Sequence, residues 1–214
     1  MARITLSPAQ LLSLSTAFHA ASTEDITPSI TAIRLYRDGS DIVAIATDRY
    51  RVARIRLALH DAADEDLQSP DFDVLVHAKT FEATARAAVK GSSIRDRVRV
   101  FSVSLELEND TFTIVSEFGS MRATVRTIKG MFPPVERLIP GAELLVGDCS
   151  PVSLKPAFLA TIAKLTIPEL DTRNAAWLME RQADEGNKPK PVLFSFENEH
   201  GRAEYMIQPN LRLR

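Results

Sequence analysis

Ile42-Val-Ala-Ile-Ala-Thr-Asp-Arg-Tyr-Arg-Val-Ala-Arg-Ile-Arg-Leu57 is the stretch that sets the fold class. Its first part is an apolar run that reads as a strand, Ile42 to Thr47. A second strand, Arg51 to Leu59, alternates charged and apolar residues. Only Asp48-Arg-Tyr50 separates them, so the chain turns at once from one strand into the next. Upstream, Arg37-Asp-Gly-Ser40 joins the pair to another strand, Ile30 to Tyr36. Further back, Arg3 to Leu6 is a short strand, and Ser7-Pro-Ala-Gln10 supplies an N-cap, a proline at the first helical position and a capping-box glutamine. Leu11, Leu14 and Phe18 then form the core stripe of a helix ending near Ser22.

The order of strand, helix and further strands recurs twice. After the acidic segment His60 to Asp71 come a strand (Phe72 to Val76) and a helix, Lys79 to Val89, with Phe81, Ala85 and Ala88 inward and Gly91-Ser-Ser93 as its stop. Alternating runs follow at Val98 to Leu107, Thr111 to Ser116 and Met121 to Ile128. The third unit opens near Leu144, with a helix at Pro156 to Leu165 and strands at Ala175 to Glu180, Val192 to Glu197 and Ala203 to Ile207. The polar segment 182–191 between two of these reads as an exposed loop. Nine or so strands and three helices predict an α+β chain of three strand-helix-strands half-units, with antiparallel sheets and helices on one face.

The chain has 214 residues, 45% hydrophobic and 25% charged, with a formal net charge of −2. Those values fit a globular protein with a full core and exclude one that coats nucleic acid by bulk charge. The single cysteine, Cys149, permits no internal disulfide. With no secretory core or membrane-length apolar run, the expectation is a cytoplasmic protein without a membrane partner. Chemistry-bearing patterns are sparse. His19, His60, His77 and His200 fall in no metal-ligand spacing, Cys149 lacks a local nucleophile signature, and the eight glycines form no phosphate loop. Asp48, next to Arg49 and Arg51, reads as an ion-pair or turn residue. No metal, no cofactor and no enzymatic activity are expected.

Three segments carry a resemblance. Ala46 to Ala53, Gly130-Met-Phe-Pro-Pro-Val-Glu-Arg-Leu-Ile-Pro140 and Tyr205-Met-Ile-Gln-Pro-Asn-Leu-Arg-Leu213 occur in this order. They resemble the Ala-Thr-Asp-Gly-His-Arg-Leu-Ala, Gly-x-Phe-Pro-Asp-Tyr-x-Arg-Val-Ile-Pro and Tyr-Val-Val-Met-Pro-Met-Arg-Leu segments of bacterial DNA polymerase III β subunits, the sliding clamps. Arg49, Tyr50 and Gln208 stand where that family has glycine, histidine and methionine, and Pro134 and Val135 replace an aspartate and a tyrosine. The resemblance implies a DNA-clamp fold in a short form. Residues 1–140 would be a complete domain of two half-units (about 1–70 and 71–140), and residues 141–214 half of a further domain.

The resemblance also implies a hydrophobic cleft that receives short linear peptides. Thr47, Tyr50, Arg51 and Val52 match its first wall, Pro133, Arg137 and Leu138 its floor, and Met206, Ile207, Gln208 and Pro209 its C-terminal wall. An apolar slot of Val52, Leu138 and Met206 suits leucine or phenylalanine anchors, with Thr47, Arg51 and Arg137 as hydrogen-bonding rim. Lys79, Arg86 and Lys90 share one helix face and, with Lys155 and Lys164, would meet DNA phosphates. The function implied is a sliding-clamp-like processivity factor that encircles or rests on duplex DNA without reading sequence. It would tether a DNA polymerase and clamp-loader or repair proteins. Three half-units per chain suggest a homo-oligomer in which the third pairs with its copy across a two-fold axis. The alternatives are a monomeric clamp-like decoy that keeps the cleft without encircling DNA, and a purely structural assembly protein.

Overall fold

The computed structural model describes residues 1–59, 72–90, 102–116, 121–141, 145, 152–170, 175–181 and 189–209. The acidic segment 60–71, the helix stop at 91–93, the start of the 98–107 run, Cys149, the polar segment 182–188 and the tail from 210 lie outside them. Among the described residues the order is β1 (Ala2–Leu6), α1 (Pro8–Ser15), β2 (Ala32–Asp38), β3 (Asp41–Thr47), β4 (Arg51–Ala58), β5 (Asp73–His77) and α2 (Ala78–Val89). Then come β6 (Val103–Glu108), β7 (Thr111–Ser116), β8 (Met121–Val125), α3 (Pro156–Ile162), β9 (Leu178–Arg181), β10 (Val192–Asn198) and β11 (Gly201–Ile207). Each of these eleven strands overlaps one of the segments read as a strand from the sequence, so the round figure of nine undercounted them.

Side-chain caps start the first two helices. In α1 the Ser7 hydroxyl accepts from the Gln10 amide at 3.2 Å while Gln10 Oε1 accepts from the Ser7 amide at 2.8 Å, completing the capping box. This helix is shorter than expected, because Thr16–Ala20 tightens into a 3-10 turn. The His77 ring caps α2 from Nδ1, which lies 3.4 Å from the Thr80 amide. Phe81, Ala85 and Ala88 are buried along α2, which packs on α1. Asn109 and Asp110, at φ 46° and 66°, make the two-residue turn between β6 and β7.

The strands form two antiparallel sheets, β1-β6-β7-β8 and β5-β2-β3-β4-β11-β10-β9. Each opening strand sits in the other unit's sheet: β1 pairs with β6, and β5 pairs with β2. This exchange knits the first two units together. The third joins differently, since β11 pairs with β4 from Gly201↔Leu57 to Ile207↔Arg51 and continues the first unit's sheet. One core fills the helix side, where Leu11, Leu14 and Phe81 meet Ile33, Ala44, Ile55, Leu105, Phe112 and Tyr205. A second, smaller core lies on the opposite face of the seven-stranded sheet.

Candidate functional site

Strand alternation builds the site. Successive residues of a strand face opposite ways, so register across the sheet puts side chains in rows. Thr47 is opposite Val52, Val52 opposite Met206, and Met206 opposite Leu193. These four residues cross β3, β4, β11 and β10 as a single row on the face away from the helices. The row spans the seam between the first and third units. Phe132 and Val135 cover it, with Ile45 in the same cluster and Ile139 and Leu145 packed against it. Val52 is 3% exposed and Met206 5%. Segment 131–139 is therefore a ridge laid across the seam, and it includes a 3-10 turn at Val135–Leu138. Between buried Val135 and packed Ile139, Leu138 stays 58% exposed.

The β3–β4 turn bounds one end of the row. Asp48 Oδ1 accepts from the amides of Tyr50 and Arg51, both at 3.1 Å, and Thr47 Oγ1 donates to the Arg51 carbonyl at 2.8 Å. Arg49 holds φ 78°, the left-handed conformation that glycine adopts freely. Tyr50 is 58% exposed at this turn. Its carbonyl accepts from the Gln208 amide at 2.8 Å, which carries the β4–β11 ladder one step further. Gln208 is exposed and its Nε2 donates to the Pro189 carbonyl at 3.2 Å, whereas Pro209 is buried.

Thr47, Val52 and Met206 thus come together, with Tyr50, Leu138 and Gln208 exposed beside them and Pro133 half-buried on the ridge. Arg51 and Ile207, expected on the same walls, face the helix side. Ile207 is fully buried in the main core. The Arg51 guanidinium donates to Asp48 Oδ2 at 2.8 Å, to Thr161 Oγ1 at 2.8 Å and to the Tyr205 hydroxyl at 3.4 Å, and it lies 4.8 Å from the Phe158 ring centroid. It clamps α3 onto the seam and is no rim donor. Burial opposes its charge, but hydrogen bonds to Tyr205 and Asp48 raise its pKa overall. Burial likewise pushes the Tyr205 hydroxyl up. Leu193, Phe132, Val135 and Ile45 belong to the site and were not expected there.

The basic residues fall into two groups. Lys79, Arg86 and Lys90 are exposed on or just after α2, and Arg86 pairs with Glu82 one turn earlier. His19, just after α1, has its pKa lowered from 6.5 to about 4 by burial first, then by Lys164, Arg86 and Arg51. Cations from three elements therefore converge on the helix side. Lys155 shares the Phe158 ring with Arg51, its Nζ lying 5.3 Å from that ring and 5.3 Å from the Tyr50 ring. Glu169, Glu199 and His200 bring three possible metal donors within 4.8 Å of one another, but both glutamates are exposed. No helix among the described residues is long and apolar enough to cross a membrane.

Residues 10–134 match the family model described as DNA polymerase III beta subunit, central domain. The beta sliding clamp of Streptomyces coelicolor is 31% identical over 121 residues, which cover 56% of this chain and 30% of that protein. A sliding clamp from Pseudomonas aeruginosa superposes with a TM-score of 0.67 at 16% identity, covering 99% of this chain and 66% of that one. A putative DNA polymerase III beta subunit from Eubacterium rectale gives 0.68 at 12% identity, covering 98% and 66%. The chain spans less than a third of the curated relative and about two-thirds of the solved structures. With the family match extending over more than half of its residues, the chain belongs to the DNA polymerase III beta subunit family of sliding clamps.

Proposed function

We propose that this protein is a non-catalytic, sliding-clamp-like processivity factor of cytoplasmic DNA replication. It holds polymerase, loader or repair proteins through a peptide cleft at the β4–β11 seam, and it encircles or rests on duplex DNA with its helix side. One observation carries the reading. An apolar row of Val52, Met206 and Leu193 crosses a junction between two units, and the ridge above it leaves Leu138 58% exposed. Leu138 is the exposed member of a ridge whose neighbours Val135 and Ile139 pack on that row. Such a surface leucine suits a leucine or phenylalanine anchor, while the methionine under the ridge lets the contact adapt to several partners. Residues 1–140 would act as one domain, because exchanged opening strands tie its halves together, and residues 141–214 as a half-domain docked on it.

Tethering supplies the effect without chemistry, since a linked polymerase rebinds at high local concentration. The cations Lys79, Arg86, Lys90 and Lys164 offer phosphates a sequence-independent, salt-sensitive contact, as sliding requires. Closure around DNA calls for self-association of the chain. Two measurements test the proposal. A fluorescent peptide with leucine and phenylalanine anchors should bind, and Leu138→Asp should weaken it at least tenfold, the loss expected of a central anchor contact. Protein loaded on nicked circular DNA should remain bound and fall off on linearisation. A peptide that binds Leu138→Asp as well as the parent removes the cleft, and retention indifferent to linearisation removes the ring.

A further inference from the structure

A groove of about 980 Å³ lies along the other flank of the ridge, lined by Arg34, Leu75, Leu107, Ile128, Met131 and Arg137 among others. It is distinct from the cleft. Neither Val52, Met206, Tyr50 nor Leu138 lines it, and Phe132 and Arg137 are shared only because they sit on the ridge. Arg137, which lines the groove, is the neighbour of Leu138 in the ridge, so the groove begins one residue from the exposed leucine.

Its charges are unevenly committed. Arg34 donates to Asp73 Oδ1 and Oδ2 at 2.9 and 2.7 Å and to Glu136 Oε1 at 2.8 Å, so two of the carboxylates are held by one guanidinium. Lys129 and Asp110 pair at 3.3 Å, but their side chains are 86% and 77% exposed, and such a pair is weak. Arg137 is exposed and makes no ion pair among the described residues. Met131, next on the same wall, is 87% exposed. The groove thus offers apolar surface at Leu75, Leu107, Ile128 and Met131, one uncommitted cation at the ridge, and a loosely held carboxylate, Asp110, at the far turn.

We infer that this groove is a second subsite for the same linear peptides, taking an acidic extension of the anchor segment and reading it through Arg137. This rests on the cleft reading above. The extension lies extended against Met131 and Ile128, with an aspartate or glutamate at Arg137 and no acid near Asp110, where like charge repels it. Partners with acidic flanks are held more tightly than neutral ones with identical anchors.

Fluorescence anisotropy on the full chain tests this with labelled peptides of one leucine–phenylalanine core. The core carries either an Asp-Asp-Glu or a Ser-Ser-Gln flank, at the N-terminal or at the C-terminal end. In the parent, one acidic arrangement should bind roughly twofold to fivefold tighter than its neutral counterpart, the size of an exposed ion pair. That ratio should fall to about one in Arg137→Gln, whatever the absolute affinities, and drop below one in Met131→Glu, a change at an exposed position that leaves folding intact. The advantage should also fade at about 0.5 M salt. Equal binding of acidic and neutral flanks, or an acidic advantage that survives Arg137→Gln, overturns the subsite while leaving the cleft standing. Failure of the neutral-flank peptide to bind at all removes the cleft and the subsite together.

Discussion

Arg51→Met tests whether the seam is clamped from the helix side. The guanidinium bonds Asp48 on its own turn, Thr161 on α3 and Tyr205 on β11, and it covers the Phe158 ring. Hydrogen bonds to a charged group contribute about 1.5–3 kcal/mol each when buried, and a cation over an aromatic face about 1 kcal/mol. These terms are not additive, and the Arg51 and Asp48 side chains are each still 16% exposed. Methionine replaces some of the packing on Phe158 but leaves the Asp48 carboxylate without its charged partner. A net loss of about 3 kcal/mol follows, or a fall of roughly 6–12 °C in melting temperature for a chain of this size. Urea unfolding followed by the single tryptophan suits the purpose, since Trp177 packs beside Phe196 at 6.2 Å in the third unit. A cycle with Thr161→Val should show coupling of about 1 kcal/mol. Loss below about 0.5 kcal/mol with no coupling to Thr161 would refute the clamp. So would full stability combined with lost peptide binding, which would return Arg51 to the rim of the cleft.

Three further outcomes follow from single positions. His19 titrates at about 4 in the fold against 6.5 free, so the native state prefers the neutral ring. Its stabilising effect is complete above pH 6.5 and is lost as pH falls toward 4, and His19→Gln should flatten that part of the parent's urea-midpoint profile. Gly201→Ala places a Cβ 2.3 Å from the Arg56 carbonyl oxygen and 2.8 Å from Leu57 Cδ2 at the start of the β4–β11 ladder. It should cost roughly 1–3 kcal/mol in thermal unfolding, and an unchanged melt would mean the seam opens there without strain. At Arg49, with φ 78°, valine should be less stable than glycine by about 1–2 kcal/mol, read as the difference between two urea midpoints.

Helices were the most legible part of the sequence, because their apolar spacing and caps are local. Phe81, Ala85 and Ala88 are buried on α2 as the 3.6-residue period predicts. Strands were legible one at a time, but pairing is not a local property. Nothing in Arg3 to Leu6 says that it joins Val103–Glu108, far along the chain, and the exchange of opening strands followed from no pattern. At the site, the sequence held more than the resemblance extracted. Arg51 and Val52 are consecutive in a strand, as are Met206 and Ile207, so alternation alone forbids each pair from lining one wall. Ile45 and Leu193 also left a signal. They lie in the unbroken apolar runs Ile42 to Ala46 and Val192 to Phe194, and such runs mark strands covered on both faces.

That double coverage sets the seam apart from the rest of the sheet. A sheet needs only one buried face to hold its helices, and here the second is buried just where β4 meets β11, under Phe132 and Val135. Removing Val52 or Met206 from water strengthens the junction of the two units, by about 1.5–3 kcal/mol for each side chain of that size. Leu138 does nothing comparable, for at 58% exposure most of its apolar surface still faces water. On the cleft reading Met206 then serves both stability and binding, whereas Leu138, outside the buried cluster, serves binding alone. Truncating Met206 to alanine should lower both the unfolding midpoint and peptide affinity, while Leu138→Asp should lower affinity alone. A Leu138→Asp chain that unfolds as readily as Met206→Ala would mean that the ridge, including Leu138, is part of the core, and that no slot beside it is open to a ligand.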